Sequence, residues 1–420
     1  GYDGQLQTYL DPQEEWEPVP DVVTPEDVDA AKYGLYELVR DVPFSDVYGG
    51  NEDKLIYEMR QNETTGAYEV VKDADGWPVT NLERGHNSRL GFFAAILQTI
   101  ARPLINGSCP AYHIDKHAHG EGGTMLANML SIIIDGSDAA ATMMPRQAEE
   151  VSKTITTLLI EGAPTIIFDN IPSGSLDSPE IAGALTAGTW KSRILGGNIS
   201  TRAPIRNVWM FCGVNVIPHA ELARRFIPIK INSKSVNPAH RPADSFKYSP
   251  GEEYARVYRK QLVWACCVLI RNYMQRDLSK DQEKNKATRV LNSFTSWSYV
   301  MGGIFREAGM GEFLTNIESY QCETVDESGG GEAAMLTLYQ KFGEDSFSAA
   351  EGAAYLMAEN EAGRVELPFN VRSPGSESRM FGFWINANAN GKTYEFEKWK
   401  LTTLTKRRTT AGTRYQLKTG

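Results

Sequence analysis

Residues 113–126 read HIDKHAHGEGGTML, a glycine-rich turn that leads into an apolar run. A P-loop has the pattern G-x-x-x-x-G-K-[ST]: its backbone N–H groups surround phosphate oxygens, and its lysine reaches the β- and γ-phosphates. Gly122 and Thr124 occupy the positions of the second glycine and the hydroxyl residue. Gly123 stands where the lysine belongs, and His117 replaces the first glycine. The stretch therefore predicts a phosphate-binding loop that lacks its usual cation.

The composition is that of a globular protein, with 420 residues, 41% hydrophobic and 23% charged residues, and a net charge of −10. No apolar run approaches the ~18 residues of a membrane span, and the acidic N-terminal stretch has no signal-peptide core. The five cysteines are scattered and form no CxxC pair, which favours a reducing, cytoplasmic setting. The net negative charge argues against a protein coated in nucleic acid.

The charge is unevenly distributed along the chain. The stretch Lys398–Gly420 contains seven Lys or Arg residues and no acid, with Lys406, Arg407 and Arg408 in succession. A local basic face can bind nucleic-acid phosphates on an otherwise acidic protein. The alternative is a solvated basic tail.

Strands alternate with helices through the middle of the chain. Short apolar runs at 110–115, 165–169 and 208–212 are typical of buried strands, and amphipathic stretches separate them. Ser178 suits an N-cap and Pro179 the first position of one of these helices. The alternation predicts an α/β fold with a mostly parallel sheet and helices on both faces.

Changes in pattern divide the chain into four regions. Residues 1–87 combine an acidic arm, a helix and a small β insertion, and 88–240 form the α/β core. Residues 241–325 read as helices, and the glycine-rich stretch 326–332 reads as a linker. In 333–420, helices precede a β-hairpin, a pattern typical of a winged-helix DNA-binding domain.

Three features follow the loop in a fixed order. Asp169 ends an apolar strand and could hold a Mg²⁺-bound water, as the Walker B acid of NTPases does; the alternative is a loop or N-cap aspartate. Asn215 follows the next buried strand, where a polar side chain could sense the γ-phosphate, although asparagine is also a common turn residue. Arg224 and Arg225 end a helix and could reach the ATP of a neighbouring subunit, or only complement the helix dipole.

In this order and spacing, residues 88–320 resemble the AAA+ helicase-like ATPases of phages and integrated mobile genetic elements. The matching segments include SRLGFFAAILQTIARPLING, EEVSKTITTLLIEGAPTIIFDNI, RNVWMFCGVNV and ELARRFIPIKI. The resemblance implies an AAA+ P-loop ATPase core followed by a winged helix. It also implies ATP-driven helicase or translocase work on DNA during replication of a mobile element, in a ring that is often a hexamer.

The resemblance also implies a role for each candidate residue. Asp169 is the Walker B acid, Asn215 is sensor 1, and Arg224 or Arg225 is the arginine finger. Mg²⁺ is held with the nucleotide by Thr124 and Asp169. The residues of the ATP-binding loop are Gly120, Glu121, Gly122, Gly123 and Thr124.

The missing lysine is the departure from the expected set. Asn170 stands where many ATPases have a catalytic glutamate, but members of the resembled family often carry asparagine there, and Glu150 or Glu161 could serve as the base. Loss of one preorganised cation costs on the order of 10²–10³ in rate, so a pseudo-ATPase that binds nucleotide and DNA but hydrolyses poorly is an alternative. Substitutes for the lysine are Lys116, seven positions before Gly123, and Lys153, Lys191 and Arg193.

The histidines of the loop suggest another chemistry. If 113–119 is extended, His113, Asp115, His117 and His119 point to one face and could bind Zn²⁺, as in a metal-dependent hydrolase. The alternatives are a histidine that contacts phosphate and simple loop polarity.

A second DNA-binding element is predicted between Asp169 and Asn215. The stretch 189–207 has hairpin character around Gly196–Gly197. The resemblance implies that this hairpin projects into the central channel of the ring, where it would meet single-stranded DNA. Its cations could contact phosphates or act only as surface charge, and they are Lys191, Arg193, Arg202 and Arg206.

Overall fold

The computed structural model describes residues 2–3, 8–9, 15–46, 54–63, 66–116, 118–193, 200–235, 238, 246–248, 250–276, 289–322, 330–365, 367–369, 375, 377–386, 393–396, 399–409 and 412–419. The helices in these ranges are α1 (Pro25–Leu38), α2 (His86–Ala101), α3 (Gly123–Asp135), α4 (Ala148–Glu161), α5 (Pro179–Thr186), α6 (Ala220–Ala223), α7 (Gly251–Val257), α8 (Arg259–Met274), α9 (Thr295–Glu307), α10 (Ile317–Cys322), α11 (Gly330–Phe342), α12 (Ala349–Glu361) and α13 (Glu377–Trp384).

The strands in the same ranges are β1 (Tyr2–Asp3), β2 (Thr8–Tyr9), β3 (Phe44–Ser45), β4 (Met59–Gln61), β5 (Tyr68–Val70), β6 (Ala111–Lys116), β7 (Ala141–Met143), β8 (Thr165–Ile171), β9 (Gly174–Leu176), β10 (Thr189–Arg193), β11 (Ser200–Pro204), β12 (Val208–Val214), β13 (Val216–Pro218), β14 (Phe226–Ile231), β15 (Phe347–Ser348), β16 (Thr393–Phe396), β17 (Trp399–Thr409) and β18 (Gly412–Thr419).

A six-stranded sheet in the order β3-β14-β6-β12-β8-β7 is the centre of the fold. The last five strands are parallel, and β3 pairs antiparallel with β14 at one edge. Every residue of β6 and β14 is buried, which requires that helices or loops cover both faces. The predicted α/β fold with a mostly parallel sheet, flanked by helices, is therefore confirmed. In chain order, the parallel strands read fifth, first, fourth, third, second across the sheet.

Local sequence signals fix several helix starts. In α1, the Thr24 side chain and Asp27 form a reciprocal capping box around Pro25. In α5, the Ser178 hydroxyl accepts a hydrogen bond from Ile181 N–H, and Pro179 takes the first helical position, as predicted. In contrast, the N-cap residue of α3 is Gly122, which has a left-handed φ of 93° and no side chain that could accept a capping hydrogen bond. The first N–H groups of α3 therefore face the loop and are not capped by the N-cap side chain.

Two separate hydrophobic cores hold the described residues together. The larger core contains Leu35 of α1, Phe44 of β3 and Trp297 of α9, so it draws on residues from the first three expected regions. The smaller core lies between 334 and 417. It packs α11 to α13 against a sheet of order β15-β18-β17-β16. The expected order of helices followed by a hairpin is present, with β17 and β18 as the hairpin.

Three details of the elements differ from the sequence prediction. The three residues of β7 were not predicted as a strand, and two of them are exposed. The stretch 252–274, within the region predicted to be helical, forms two helices, α7 and α8, that meet at Tyr258 rather than one continuous helix. β8 continues for two residues beyond Asp169, which was expected to end it.

Of the helices that the structure describes, none combines the length and hydropathy needed to cross a bilayer.

Candidate active site

The carboxyl ends of β6, β8 and β12 meet at one edge of the central sheet, the position where ligands bind in open α/β sheets. Lys116 is the last residue of β6, Asp169 lies near the end of β8, and Asn215 directly follows β12. The N–H of Asn215 donates to the carbonyl of Lys116 at 3.1 Å. The strand order thus brings together residues that are far apart in the sequence.

The glycine-rich loop is shaped by backbone conformations that favour glycine. Gly120 and Gly122 have φ angles of 84° and 93°, which residues with a side chain adopt rarely. Between them, the buried Glu121 carboxylate accepts hydrogen bonds from Ala118 N–H at 3.1 Å and from Ser233 N–H at 2.9 Å. Glu121, predicted to bind nucleotide, therefore ties the loop to the segment after β14 in this structure.

A hydroxyl and a carboxylate lie side by side where α3 begins. The Thr124 hydroxyl donates to Asp169 Oδ2 at 2.8 Å, and the Asn170 N–H donates to Asp169 Oδ1 at 2.7 Å. Asp169 is buried, whereas Thr124 and Asn170 are exposed. Hydroxyl and carboxylate oxygens are hard ligands of the kind that Mg²⁺ prefers, so this pair fits the predicted Mg²⁺ role.

A β-bulge gives Asp169 its position. Between the pairs Phe211–Phe168 and Gly213–Ile171, β8 has two residues opposite the single Cys212 of β12. The two inserted residues are Asp169 and Asn170, and Asn170 has a left-handed φ of 55°. A bulge redirects a side chain and ends regular pairing locally. It explains how Asp169 reaches Thr124 although the strand continues to Ile171.

Lys116 passes directly over the glycine that replaces the P-loop lysine. A Cβ placed on Gly123 would lie 2.6 Å from Lys116 Cδ and 2.9 Å from Cys212 Sγ. Lys116 is 7% exposed. Burial raises the pKa of the Cys212 thiol to about 12; the nearby Lys116 ammonium lowers this pKa and the Asp169 carboxylate raises it further. Cys212, which the sequence did not single out, therefore lies near both Lys116 and Asp169.

The other predicted catalytic residues have different surroundings. Asn215 is exposed and left-handed, with φ of 51°. Glu150 lies in the first turn of α4 and forms an ion pair with Lys153 at 2.8 Å. Glu161 is the last residue of the same helix. Because α4 follows β7, its first turn lies toward the carboxyl edge of the sheet and its last turn lies away from it.

Arg224 and Arg225 lie at the amino ends of the parallel strands, whereas the loop follows the carboxyl end of β6. They directly precede β14, whose first residue, Phe226, pairs with Ala111 at the start of β6. Both arginines form ion pairs with Glu221. Since β6 rises about 3.3 Å per residue, its length separates these side chains from the loop of the same chain. An arginine-finger role therefore requires a second copy of the chain.

The expected extended histidine face is not formed. β6 ends at Lys116, before His119, because the chain turns there into the loop. His113 is buried in the core, where its Nδ1 lies 3.0 Å from the Tyr320 hydroxyl. Burial, with a smaller contribution from the Lys230 ammonium, lowers the pKa of His113 to about 3. His117 lies outside the described residues, and among those described no group of three or more His, Cys, Asp or Glu could hold a metal.

The predicted basic hairpin has well-defined arms. β10 and β11 pair antiparallel, with Lys191 opposite Arg202 and Trp190 opposite Ala203. The Trp190 indole donates to the Thr156 hydroxyl of α4 at 2.9 Å. Lys191 and Arg202 are exposed. Because alternate strand residues face opposite sides, one face of the hairpin packs on α4 and the other presents two adjacent cations.

The other residues predicted to contact DNA are Arg193, Arg206 and three consecutive cations of β17. Arg206 follows β11 and is exposed. Arg193 lies in β10, and Lys406, Arg407 and Arg408 lie in β17, in stretches where only the backbone is described. The hairpin tip around Gly196–Gly197 lies outside the described residues.

The chain was compared with protein families, curated proteins and solved structures. No family model matches the chain, and no curated protein matches it. The A-form apo structure of the NrS-1 C-terminal region has a TM-score of 0.40 and 11% identity, covering 98% of this chain and 79% of that chain. A second A-form apo structure of that region has a TM-score of 0.32 and 10% identity, covering 79% and 71%. At these values the likeness assigns neither fold nor function to this chain.

Proposed function

We propose that this chain is an AAA+ ATPase that acts on DNA and binds ATP with Mg²⁺ at the carboxyl edge of its central sheet. One observation carries the proposal: the glycine loop, Thr124, Asp169 and Lys116 all meet at that edge. A glycine-rich loop that opens a helix presents backbone N–H groups to an anion. The mostly parallel sheet, with the loop directly after its interior strand β6, is compatible with a P-loop core and supports the same assignment.

In this proposal, each residue at the edge has a specific task. Backbone N–H groups of 120–124 bind the phosphates, and the Thr124 hydroxyl and Asp169 carboxylate hold Mg²⁺, which neutralises phosphate charge. Asn215, exposed at the end of β12, contacts the terminal phosphate or its attacking water. Glu150 is the candidate base, since it begins α4 at the same side of the sheet.

DNA binding and ring formation complete the proposal. The exposed cations of the β10–β11 hairpin contact single-stranded DNA. The order α11, β15, α12, α13, β16, β17, β18, with β15 paired to β18, supports a winged helix, whose basic hairpin would contact duplex DNA. The position of Arg224 and Arg225 away from their own loop favours a ring, with a hexamer as the expected form. The work would be that of a helicase or translocase in the replication of a phage or mobile element.

The deciding experiment measures ATP binding and ATP hydrolysis separately, with and without single-stranded DNA. We expect the wild type to bind ATP and to hydrolyse it faster with DNA. Asp169→Ala should retain binding and lose turnover by on the order of 10²–10³. Asp29→Ala, which removes a surface carboxylate from α1, serves as the matched control and should behave like the wild type. A wild type that binds no nucleotide would refute the proposal.

Gly123 favours a second candidate, a pseudo-ATPase that binds nucleotide and DNA as a scaffold. The position carries no side chain, so the cation that a P-loop normally supplies from this site is absent. Nucleotide binding without measurable turnover, under conditions where DNA also binds, would establish this candidate in place of the first.

A further inference from the structure

A side chain at 123 would compete for space with Lys116 and Cys212. Its Cβ would lie 2.6 Å from Lys116 Cδ, 2.9 Å from Cys212 Sγ and 3.1 Å from Lys116 Cγ, so these side chains would have to move. Carbon atoms that are not bonded to each other do not approach as closely as 2.6 Å, so a lysine at 123 and the present path of Lys116 are incompatible. Gly123 is thus the residue that gives the Lys116 side chain its place against the start of α3.

The path of Lys116 leads into the candidate site. The residue is buried at the end of β6, and its stem crosses Gly123 next to Cys212 Sγ. The Lys116 ammonium and the Asp169 carboxylate both lie near enough to this thiol to act on it electrostatically. Its backbone is fixed as well, because its carbonyl accepts from Asn215 N–H at 3.1 Å. The ammonium therefore belongs to the same group of side chains as the Thr124–Asp169 pair.

The other candidate cations are placed less favourably. The Lys153 ammonium forms two ion pairs, with Glu149 and Glu150, each at 2.8 Å. Lys191 projects from the exposed face of the β10–β11 hairpin, beside Arg202. Of the three candidate lysines, all of which have described side chains, Lys116 alone packs against the loop itself.

We infer that Lys116 is a catalytic residue: it supplies, from the strand before the loop, the cation that a P-loop normally supplies from the position of Gly123. This inference rests on the proposed ATPase function. In the reaction, water adds to the γ-phosphorus, the bond from phosphorus to the bridging oxygen breaks, and that oxygen leaves with the electron pair on ADP. The proton lost by the water passes to the candidate base Glu150 and from there to solvent. Lys116 stabilises the negative charge that develops on the phosphate oxygens.

A double-mutant cycle tests whether the cation can act from position 123 in place of position 116. It compares the wild type, Lys116→Ala, Gly123→Lys and the double variant. Turnover and ATP affinity are measured for each, with thermal unfolding as the check of folding. Lys116→Ala should lose on the order of 10²–10³ in turnover and much less in affinity. Gly123→Lys alone should be inactive or unstable, because two lysines compete for one space. The double variant should recover at least about tenfold over Lys116→Ala.

Further variants keep the inference falsifiable. Lys116→Met retains most of the stem, so it separates charge from packing if Lys116→Ala does not fold. Lys32→Ala, on the surface of α1, is the control and should retain wild-type turnover. Wild-type turnover in a folded Lys116→Met, or a loss confined to Lys153→Ala, would overturn the role of Lys116 and leave the ATPase proposal intact. Absence of nucleotide binding by the wild type would instead remove the ATPase proposal and this inference together.

Discussion

Asp169 is held by two groups on different elements. They are the Thr124 hydroxyl at the start of α3 and the Asn170 N–H within β8. The bulge makes this possible, because it places Asn170 in a left-handed conformation and turns Asp169 toward α3. Asparagine tolerates that conformation better than most residues, which gives Asn170 a backbone role independent of any catalytic one.

Thr124 provides a direct test of the Mg²⁺ assignment. Thr124→Val preserves shape but removes the hydroxyl that faces Asp169, so we expect the Mg²⁺ concentration needed for half-maximal turnover to rise by on the order of 10–100-fold. Thr124→Ser keeps a hydroxyl and should require several-fold less change. A Mg²⁺ titration of ATP hydrolysis measures both. Equal curves for the valine and serine variants would contradict the assignment.

His113 should make the stability of the fold depend on pH. Its pKa is about 3 in the folded protein and near 6.5 when unfolded. Between these values only the unfolded chain binds the proton, so the free energy of unfolding falls as pH decreases, by at most about 1.4 kcal/mol per pH unit. In His113→Phe this contribution is absent, and the slope between pH 6 and 4 should be smaller than in the wild type.

Denaturant unfolding at several pH values measures that slope. Because the variant also removes the hydrogen bond between His113 and Tyr320, slopes rather than absolute stabilities are compared. Above pH 7.5 the two proteins should respond to pH alike, which provides an internal control. Parallel curves down to pH 4 would show that His113 is protonated equally in the folded and unfolded chains.

The sequence revealed some residues of the site and concealed others. Gly120 and Gly122 were identifiable because positive φ angles favour glycine. The packing of Lys116 against Gly123 was not, since it depends on the turn that the chain makes between them. Cys212 reads as an ordinary residue of an apolar strand, and only the register of β12 against β8 shows that it faces Asp169.

At the scale of elements, predictions held where a pattern was long or a cap was explicit. The apolar runs of β6, β8 and β12 and the Ser178 cap of α5 fall within a few residues of their predicted places. β3 and β7 were missed because two or three residues cannot show a period. Their pairing depends on neighbouring strands that are distant in sequence.

The β10–β11 hairpin offers a prediction about DNA. Lys191 and Arg202 lie opposite each other, an arrangement of like charges that destabilises a sheet unless an anion binds there. The double change Lys191→Ala and Arg202→Ala should weaken binding to single-stranded DNA. It should also reduce the slope of log affinity against log salt by about 0.7 for each phosphate that the variant no longer neutralises. Affinity measured across a salt series gives both quantities.

A second double variant controls for net charge. Lys32→Ala with Lys54→Ala removes two cations elsewhere on the surface, each of which pairs with an acid in the wild type. Its salt slope should equal that of the wild type. If both double variants change the slope alike, the hairpin has no specific part in DNA binding.

At the scale of the whole molecule, two cores are joined by chain and by surface interactions such as the ion pair between Arg379 and Glu318, at 3.0 Å. The smaller core includes Tyr415 and Leu417 of β18. Removal of the basic stretch 398–420 would therefore unfold this part of the protein and also remove its positive charges. Replacement of individual cations is the cleaner way to separate DNA binding from folding.

The two arginines and the loop lie at opposite ends of the parallel strands, and this separation leads to a prediction about assembly. A residue that precedes β14 cannot reach the loop after β6 in the same chain, but it can reach the loop of a neighbour in a ring. Of the two arginines, Arg224 is 54% exposed at its side chain and Arg225 only 16%. Arg225 also donates to the Glu221 carbonyl, which ties it to its own helix. Arg224 is therefore the better placed of the two to act on another subunit.

Mixing two inactive variants tests this arrangement. Arg224→Ala lacks the arginine and Asp169→Ala lacks the acid, so each alone should lose most of its ATP hydrolysis, by about 10³-fold or more for the arginine. In an equal mixture, an intact loop meets an intact arginine at about a quarter of the interfaces if subunits of a symmetric ring assemble at random. Turnover should therefore rise well above the sum of the separate proteins. Activity equal to that sum would show that Arg224 does not complete a neighbour's site.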